Sequence, residues 1–246
     1  MSNIPAEFRY PHRRTLRRFL RWLSRLTLNT LTHFEVHGLE NVPQNGPFIV
    51  VGNHFNYADP VPVIAALPFP LEFFAGTQRP SAPALAKLIP EIWKIYPVVR
   101  GTSSRYALKA AEYVMQQDGI LGIFPEGGAW AQVLRPARPG TAYVATRTGV
   151  PILPVGIDGM PDIFPALGRG ERTKLTLRFG RPFGPFTVNG RGRDRREQLD
   201  EIGHEIMRHI AALIPPEKRG VYSTDPAIRA EAEKVAAFPW DTAGEF

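Results

Sequence analysis

Cysteine is missing from the whole 246-residue chain. That absence excludes a disulfide framework, a thiolate nucleophile and any metal site built on cysteine ligands. Long apolar runs are missing too. A helix that crosses a bilayer needs about 18 or more consecutive apolar residues. The strongest contender, residues 61–75, is broken by Pro62, Pro68 and Pro70 and carries Glu72. The sequence therefore predicts a chain that does not span a membrane. Basic residues near the N-terminus are not followed by an uninterrupted apolar stretch and a small-residue cleavage site, so no secretory signal is expected and the mature chain is read as beginning at Met1. Neither a G-x-S-x-G elbow nor an H-E-x-x-H helix occurs, which argues against a serine hydrolase and a zinc hydrolase. No internal repeat is visible.

The hydrophobic content of 43% is enough for one sizeable core. The 25 Pro and 22 Gly fall between apolar runs and read as turns, not as a low-complexity block. Net charge is +7, and its location matters more than its size. Arg9, Arg13, Arg14, Arg17, Arg18, Arg21 and Arg25 stand near the N-terminus against a single acid, Glu7, while basic and acidic residues almost cancel over the rest of the chain.

Between Arg14 and Leu31 the apolar residues Leu16, Phe19, Leu20, Leu23 and Leu26 follow three-and-four spacing, with Arg14, Arg18, Arg21 and Arg25 on the other side. This is the pattern of a basic amphipathic helix, with Trp22 near its boundary. Such a helix can lie in the interface of an anionic membrane. It can equally pack its apolar side on a domain and leave a solvated charged face. Nucleic acid is not an expected partner, because neither a DNA-binding module nor an aromatic stacking platform is present.

Beyond the arm, apolar runs alternate with helical patterns, which predicts an α/β fold with a mostly parallel or mixed central sheet flanked by helices. Strands are expected at Phe48 to Val51, Leu71 to Phe74, Ile95 to Val99, Ile120 to Phe124, Ile152 to Ile157 and Lys174 to Phe179. Helices are expected at Pro60 to Leu67, Ser103 to Gln117, Thr141 to Thr148 and Asp194 to Ile214, the last with a stripe of Leu199, Ile202, Ile206, Met207, Ile210 and Leu213 ended by Pro215 and Pro216. The expected organisation is an arm at 1–34, a domain at 35–216 and a tail at 217–246 that trails over the surface.

Two segments carry candidate chemistry. The apolar strand ending at Val51 runs into Asn53, His54, Phe55, Asn56, Tyr57, Ala58, Asp59 and Pro60. A histidine at a strand end with an aspartate five residues later can be oriented through one ring nitrogen while the other faces a cleft, as a general base requires. The same residues also read as a turn histidine and a helix N-cap, Asp59 before Pro60. The second segment places Pro125, Glu126, Gly127 and Gly128 directly after the strand Ile120 to Phe124. Ligands of open α/β sheets bind at such carboxyl ends. The bland alternative for Glu126 is an exposed turn acid.

On four ordered motifs spanning roughly Phe48 to Ile157, the chain resembles the glycerol-phosphate and lysophosphatidate acyltransferase family. His54 and Asp59 match its first motif and Arg100, after an apolar strand, its second. Phe124, Pro125, Glu126 and Gly127 match the third, and the run Val150, Pro151, Ile152, Leu153, Pro154 and Val155 the fourth. The resemblance implies transfer of a fatty acyl group from acyl-CoA or acyl carrier protein to a hydroxyl of a lipid-like acceptor such as lysophosphatidate. His54 would be the base and Asp59 its orienting partner, with no acyl-enzyme and no cofactor beyond the acyl co-substrate.

Asn53, Arg100, Glu126, Gly127 and Arg138 are the substrate-binding candidates. The arginines would meet an anionic group, although Arg138 also reads as a surface arginine. Residues 61–67 and 150–155 read as an acyl groove or as plain core. The expected site of action is peripheral, at the cytoplasmic face of an anionic membrane. Val99, Gly128 and Ala129 depart from the family's usual residues and bear on the acceptor. The rivals are a lipid-binding protein of the same fold without turnover and an acyltransferase for a non-glycerolipid alcohol.

Overall fold

The structure is a computed structural model that describes residues 4–76, 89–98 and 105–236. Seven strands form one sheet: β1 (Thr32–His37), β2 (Phe48–Gly52), β3 (Leu71–Gly76), β4 (Tyr96–Val98), β5 (Ile120–Ile123), β6 (Ile152–Asp158) and β7 (Thr173–Phe179). Their spatial order is β1-β7-β6-β2-β5-β3-β4. Every neighbouring pair is parallel except β6 and β7. The sheet is thus mixed, as the run pattern predicts.

The central strands are apolar along their length because helices cover both faces. Side chains alternate between the two sides. Ile49, Val51, Leu121 and Ile123 join one core, with Ala110, Val114, Ala145, Ile206 and Ile210 from the helices α4 (Arg105–Met115), α5 (Pro139–Thr148) and α7 (Gly192–Ala211). Phe48, Val50 and Ile120 join the other, with Leu28 of α1 (Arg14–Leu31), Val63 of α2 (Pro60–Ala66), Trp93 of α3 (Ile89–Trp93) and Ile163 of α6 (Ile163–Gly168). Each fully buried Ile, Leu or Val of this kind contributes roughly 1.5–3 kcal/mol. Residues 61–67 and 150–155, which had two readings, lie mostly in these cores: Val63, Ile64, Leu67, Ile152, Leu153 and Val155 are buried.

The expected strands and the four expected helices of the domain form, with their described bounds within three residues of those predicted, and α1 coincides with the predicted arm helix. Val99, Arg100, Ser103 and Ser104 lie outside the described residues. β1 is an unexpected strand. It sits at the sheet edge and alternates histidine, glutamate and threonine with apolar residues, so no apolar run announces it.

The arm is tied to the domain by a buried charge as well as by apolar contacts of Leu20 and Leu28. Arg17 is buried and forms a two-pronged ion pair with the buried Glu72 of β3, at 2.6 and 2.7 Å. Its Nη2 also donates to the carbonyl of Trp93 at 2.7 Å, and the guanidinium stands 4.9 Å from the Trp93 ring centre. The backbone N–H of His12 adds a further donor to Glu72. With Arg17 and Leu28 turned inward, Leu16, Phe19, Trp22, Leu23 and Leu26 are left exposed, Phe19 at 54% and Trp22 at 58%. Of the predicted stripe, Leu16, Phe19, Leu23 and Leu26 therefore face outward, while Leu20 packs against the core.

Of the expected tail, residues 217–236 do not trail. Val221 and Lys218 pair with the backbone of Leu134, and α8 (Pro226–Ala236) buries Ala232. Among the described residues no helix is long and apolar enough to cross a membrane.

Candidate active site

Because β2, β5 and β6 run parallel, their carboxyl ends meet at one edge of the sheet. The chain leaves β2 through Asn53, which is fully buried. Its side-chain amide donates to the carbonyl of Ile157 and its oxygen accepts that residue's N–H, both at 2.8 Å. Asn53 thus staples the end of β2 to β6 behind the site.

His54 follows, and Asp59 faces it. Although Asp59 precedes Pro60 at the first turn of α2, its side chain makes no cap bond to that helix. Its Oδ2 instead accepts the N–H groups of Phe55 at 2.7 Å and Asn56 at 2.8 Å, and meets His54 Nδ1 at 3.1 Å. Asn56 closes the turn by accepting the N–H of Ala58 at 3.0 Å. A buried carboxylate that takes Nδ1 as its third donor puts the ring proton there and leaves Nε2 with a lone pair. The imidazole is 18% exposed and stacks on Phe124, ring centres 4.5 Å apart. Nε2 engages no described residue. The pair can accept a proton from a bound hydroxyl and stabilise the cation that results.

Glu126 is buried, not an exposed turn acid. Its Oε1 accepts the backbone N–H of His54 at 2.7 Å. Its Oε2 accepts Arg135 Nε at 2.9 Å and the Arg135 backbone N–H at 3.3 Å. Burial pushes the Glu126 carboxyl up to about 7, against the opposing pull of Arg135 and of the His54 N–H. Burial likewise lowers Arg135, against the pull of Glu126. Gly127 adopts a φ of 77°, which lets the chain turn away directly behind the acid.

Arg135 is the residue that sequence reasoning missed. It is buried, lies 3.5 Å from the centre of the Trp130 ring, and donates through Nη2 to the carbonyls of Gly128 at 2.6 Å and His54 at 3.3 Å. One signal was available: a glutamate buried at a strand end requires a cation, and Arg135 sits between Leu134 and Pro136 in an apolar stretch. Arg138, the candidate from the same loop, is half-buried, donates its backbone N–H to the carbonyl of Pro125 at 2.8 Å and precedes α5. Arg100 lies outside the described residues. Next to the histidine, Tyr57 stacks on the half-exposed Phe164 of α6.

Residues 33–158 match a family model described as acyltransferase. An uncharacterized protein of Mycobacterium tuberculosis is 28% identical over 186 residues, covering 68% of this chain and 48% of the other. The chain therefore spans about half the length of that relative. The 1-acyl-sn-glycerol-3-phosphate acyltransferase of Bacillus subtilis is 22% identical over 151 residues, covering 60% of this chain and 72% of that enzyme. The crystal structure of the 1-acyl-sn-glycerophosphate acyltransferase of Thermotoga maritima superposes with a TM-score of 0.53 at 22% identity, over 81% of this chain and 83% of the other, a likeness of fold.

Proposed function

The chain belongs to the acyltransferase family, and from that premise we propose that it moves a fatty acyl group from acyl-CoA or acyl carrier protein to a hydroxyl of a glycerophospholipid precursor such as lysophosphatidate. The observation that carries this reading is His54, held through Nδ1 by a buried aspartate at 3.1 Å, with its other nitrogen engaged by no described residue. His54 Nε2 takes the proton of the acceptor hydroxyl as its oxygen attacks the thioester carbonyl. The tetrahedral intermediate collapses with loss of the thiolate, which takes the proton back from the imidazolium. Asp59 fixes the tautomer and stabilises the charge that forms between these steps.

The roles of the substrate-binding candidates divide. Arg100 and Arg138 are our proposed contacts for an anionic group on the acceptor. Both oxygens of Glu126 accept protein donors, which supports a positioning role for it in place of the direct substrate contact expected from sequence. Asn53, with both ends of its amide engaged by Ile157, is likewise proposed as support behind the site.

The exposed face of Phe19, Trp22, Leu23 and Leu26, bordered by Arg14, Arg18 and Arg25, supports peripheral work on an anionic lipid surface; the cytoplasmic face of the membrane is our proposed place for it. Each arginine close to such a surface adds about 1 kcal/mol. The same face favours the second reading, a lipid-binding protein that lacks turnover.

The test is thiol release from palmitoyl-CoA by wild-type and H54A protein with lysophosphatidate, glycerol 3-phosphate, lysophospholipids and a non-glycerolipid alcohol. Acceptor-dependent release that vanishes in H54A supports the enzyme, and the preferred acceptor separates a glycerolipid from another alcohol. Absence of release from palmitoyl-CoA and from palmitoyl carrier protein alike leaves the lipid-binding reading.

A further inference from the structure

We propose that Arg135 is a positioning residue for this reaction: together with Glu126 it grips the main chain of His54 at both its N–H and its carbonyl, and so fixes where the imidazole stands. The inference rests on the acyl-transfer reading for its chemistry. Its geometry is independent of that reading.

The grip is closed at each end. Glu126 Oε1 takes the His54 N–H at 2.7 Å, and Arg135 Nη2 reaches the His54 carbonyl at 3.3 Å. Arg135 Nε and Glu126 Oε2 join the two halves at 2.9 Å. A second bond from Nη2, to the carbonyl of Gly128 at 2.6 Å, ties the same guanidinium to the turn after Glu126. One planar fork thus serves an acid and two carbonyls in different directions, which a lysine, with a single point of charge on a flexible stem, reproduces only in part. Trp130 covers the guanidinium at 3.5 Å, so the bonds form away from water and are correspondingly strong.

The loop that carries Arg135 is itself held from outside the residues that match the family model. Leu134 donates its N–H to the carbonyl of Lys218 at 2.9 Å and accepts the N–H of Val221 at 3.4 Å. Between them Gly220 has a φ of 55°, and a Cβ there would lie 2.0 Å from the Leu134 carbonyl oxygen, so only glycine permits this approach. The Trp130 indole donates to the carbonyl of Val235, near the end of α8, at 3.2 Å. Residues 218–235 therefore act as a strap on the Arg135 loop, with Arg138 pinned to Pro125 on its other flank.

Displacing a catalytic group by about 1 Å can cost on the order of 10²-fold in rate. The test compares wild-type and R135K protein by histidine-selective NMR, by melting temperature and by steady-state thiol release. The expected result is a folded R135K protein whose His54 ring signals are displaced, whose kcat falls on the order of 10²-fold and whose KM for palmitoyl-CoA is little changed. Should R135K fail to fold, the double variant E126Q/R135Q removes both buried charges together and is read in the same way. A folded variant with wild-type His54 signals and full kcat overturns the proposal. Absence of thiol release by the wild-type chain would count against the acyl-transfer reading alone, because the His54 signals decide for or against the grip without turnover.

Discussion

Glu126 accepts the backbone N–H of His54 at 2.7 Å, so the acid that follows one central strand holds the main chain of the histidine that follows its neighbour. Parallel pairing of β2 and β5 makes this possible by bringing two strand ends separated by 72 residues to the same edge. Around the contact, Asp59 orients the imidazole, Asn53 holds the strand end to β6 and Arg135 closes the ion pair.

Asp59→Asn should abolish most activity while the turn survives. Oδ2 alone meets the N–H groups of Phe55 and Asn56 and His54 Nδ1, so an asparagine whose oxygen takes that place keeps the turn and the ring orientation but loses the negative charge. The imidazolium that forms during transfer then has no counter-charge. Loss of activity of roughly 10²- to 10⁴-fold is expected, with a melting temperature close to wild type. Retention of more than a tenth of the wild-type kcat would remove Asp59 from the mechanism.

The Glu126 carboxyl gives stability a specific pH dependence. Its folded value of about 7 stands above the ordinary 4.5, so within that window the folded chain binds a proton that the unfolded chain has released. The contribution is fully present below the unfolded value and is lost as pH rises towards 7. In urea titrations, the stability of wild type relative to E126Q should therefore fall between pH 5 and pH 8, values chosen to lie roughly at the two ends of the window. A difference that stays constant, or grows, would contradict the burial of this carboxyl.

Arg17 and Glu72 should behave as one buried unit. R17M leaves the Glu72 carboxylate inside β3 without its main partner and should cost about 3–5 kcal/mol. The double variant R17M/E72L replaces both charges with apolar groups and should recover most of that loss, giving strong coupling in a double-mutant cycle. A loss within about 1 kcal/mol for R17M, the range of an exposed pair, would show that the bridge carries no structural weight.

For the arm, deletion of residues 1–25 is a poor test of lipid contact because it also removes Arg17 from the core. Point changes separate the two faces of α1. F19S/W22S alters exposed residues and should reduce co-sedimentation with phosphatidylglycerol vesicles at an unchanged melting temperature. L28A, on the inner face, should cost about 2–5 kcal/mol. Vesicle binding by F19S/W22S equal to wild type would rule out this face as the contact.

The elements legible in the sequence are those whose signals are local. The central strands read as continuous apolar runs because helices cover both of their faces, and α7 shows its buried stripe and its proline stop. His54 and Asp59 are five residues apart, so the turn that joins them fits within the motif that marks them. β1 stayed silent because an edge strand needs no apolar run, and α6 and α8 because a short helix or one laid on the surface buries too little to leave a strong period.

The sequence by itself determined the α/β layering, the strand ends that bear the candidate site and the basic character of the first helix. Tertiary structure alone decided which charges are buried. Arg17 is one of seven arginines near the N-terminus and nothing beside it marks it out, yet it pairs with Glu72 55 residues away, and Arg135 looks no different from Arg138 until the loop closes on Glu126. The reason is physical. The free energy of a charge depends on its solvation and on partners brought near by folding, and neither is encoded in the residue's neighbours along the chain.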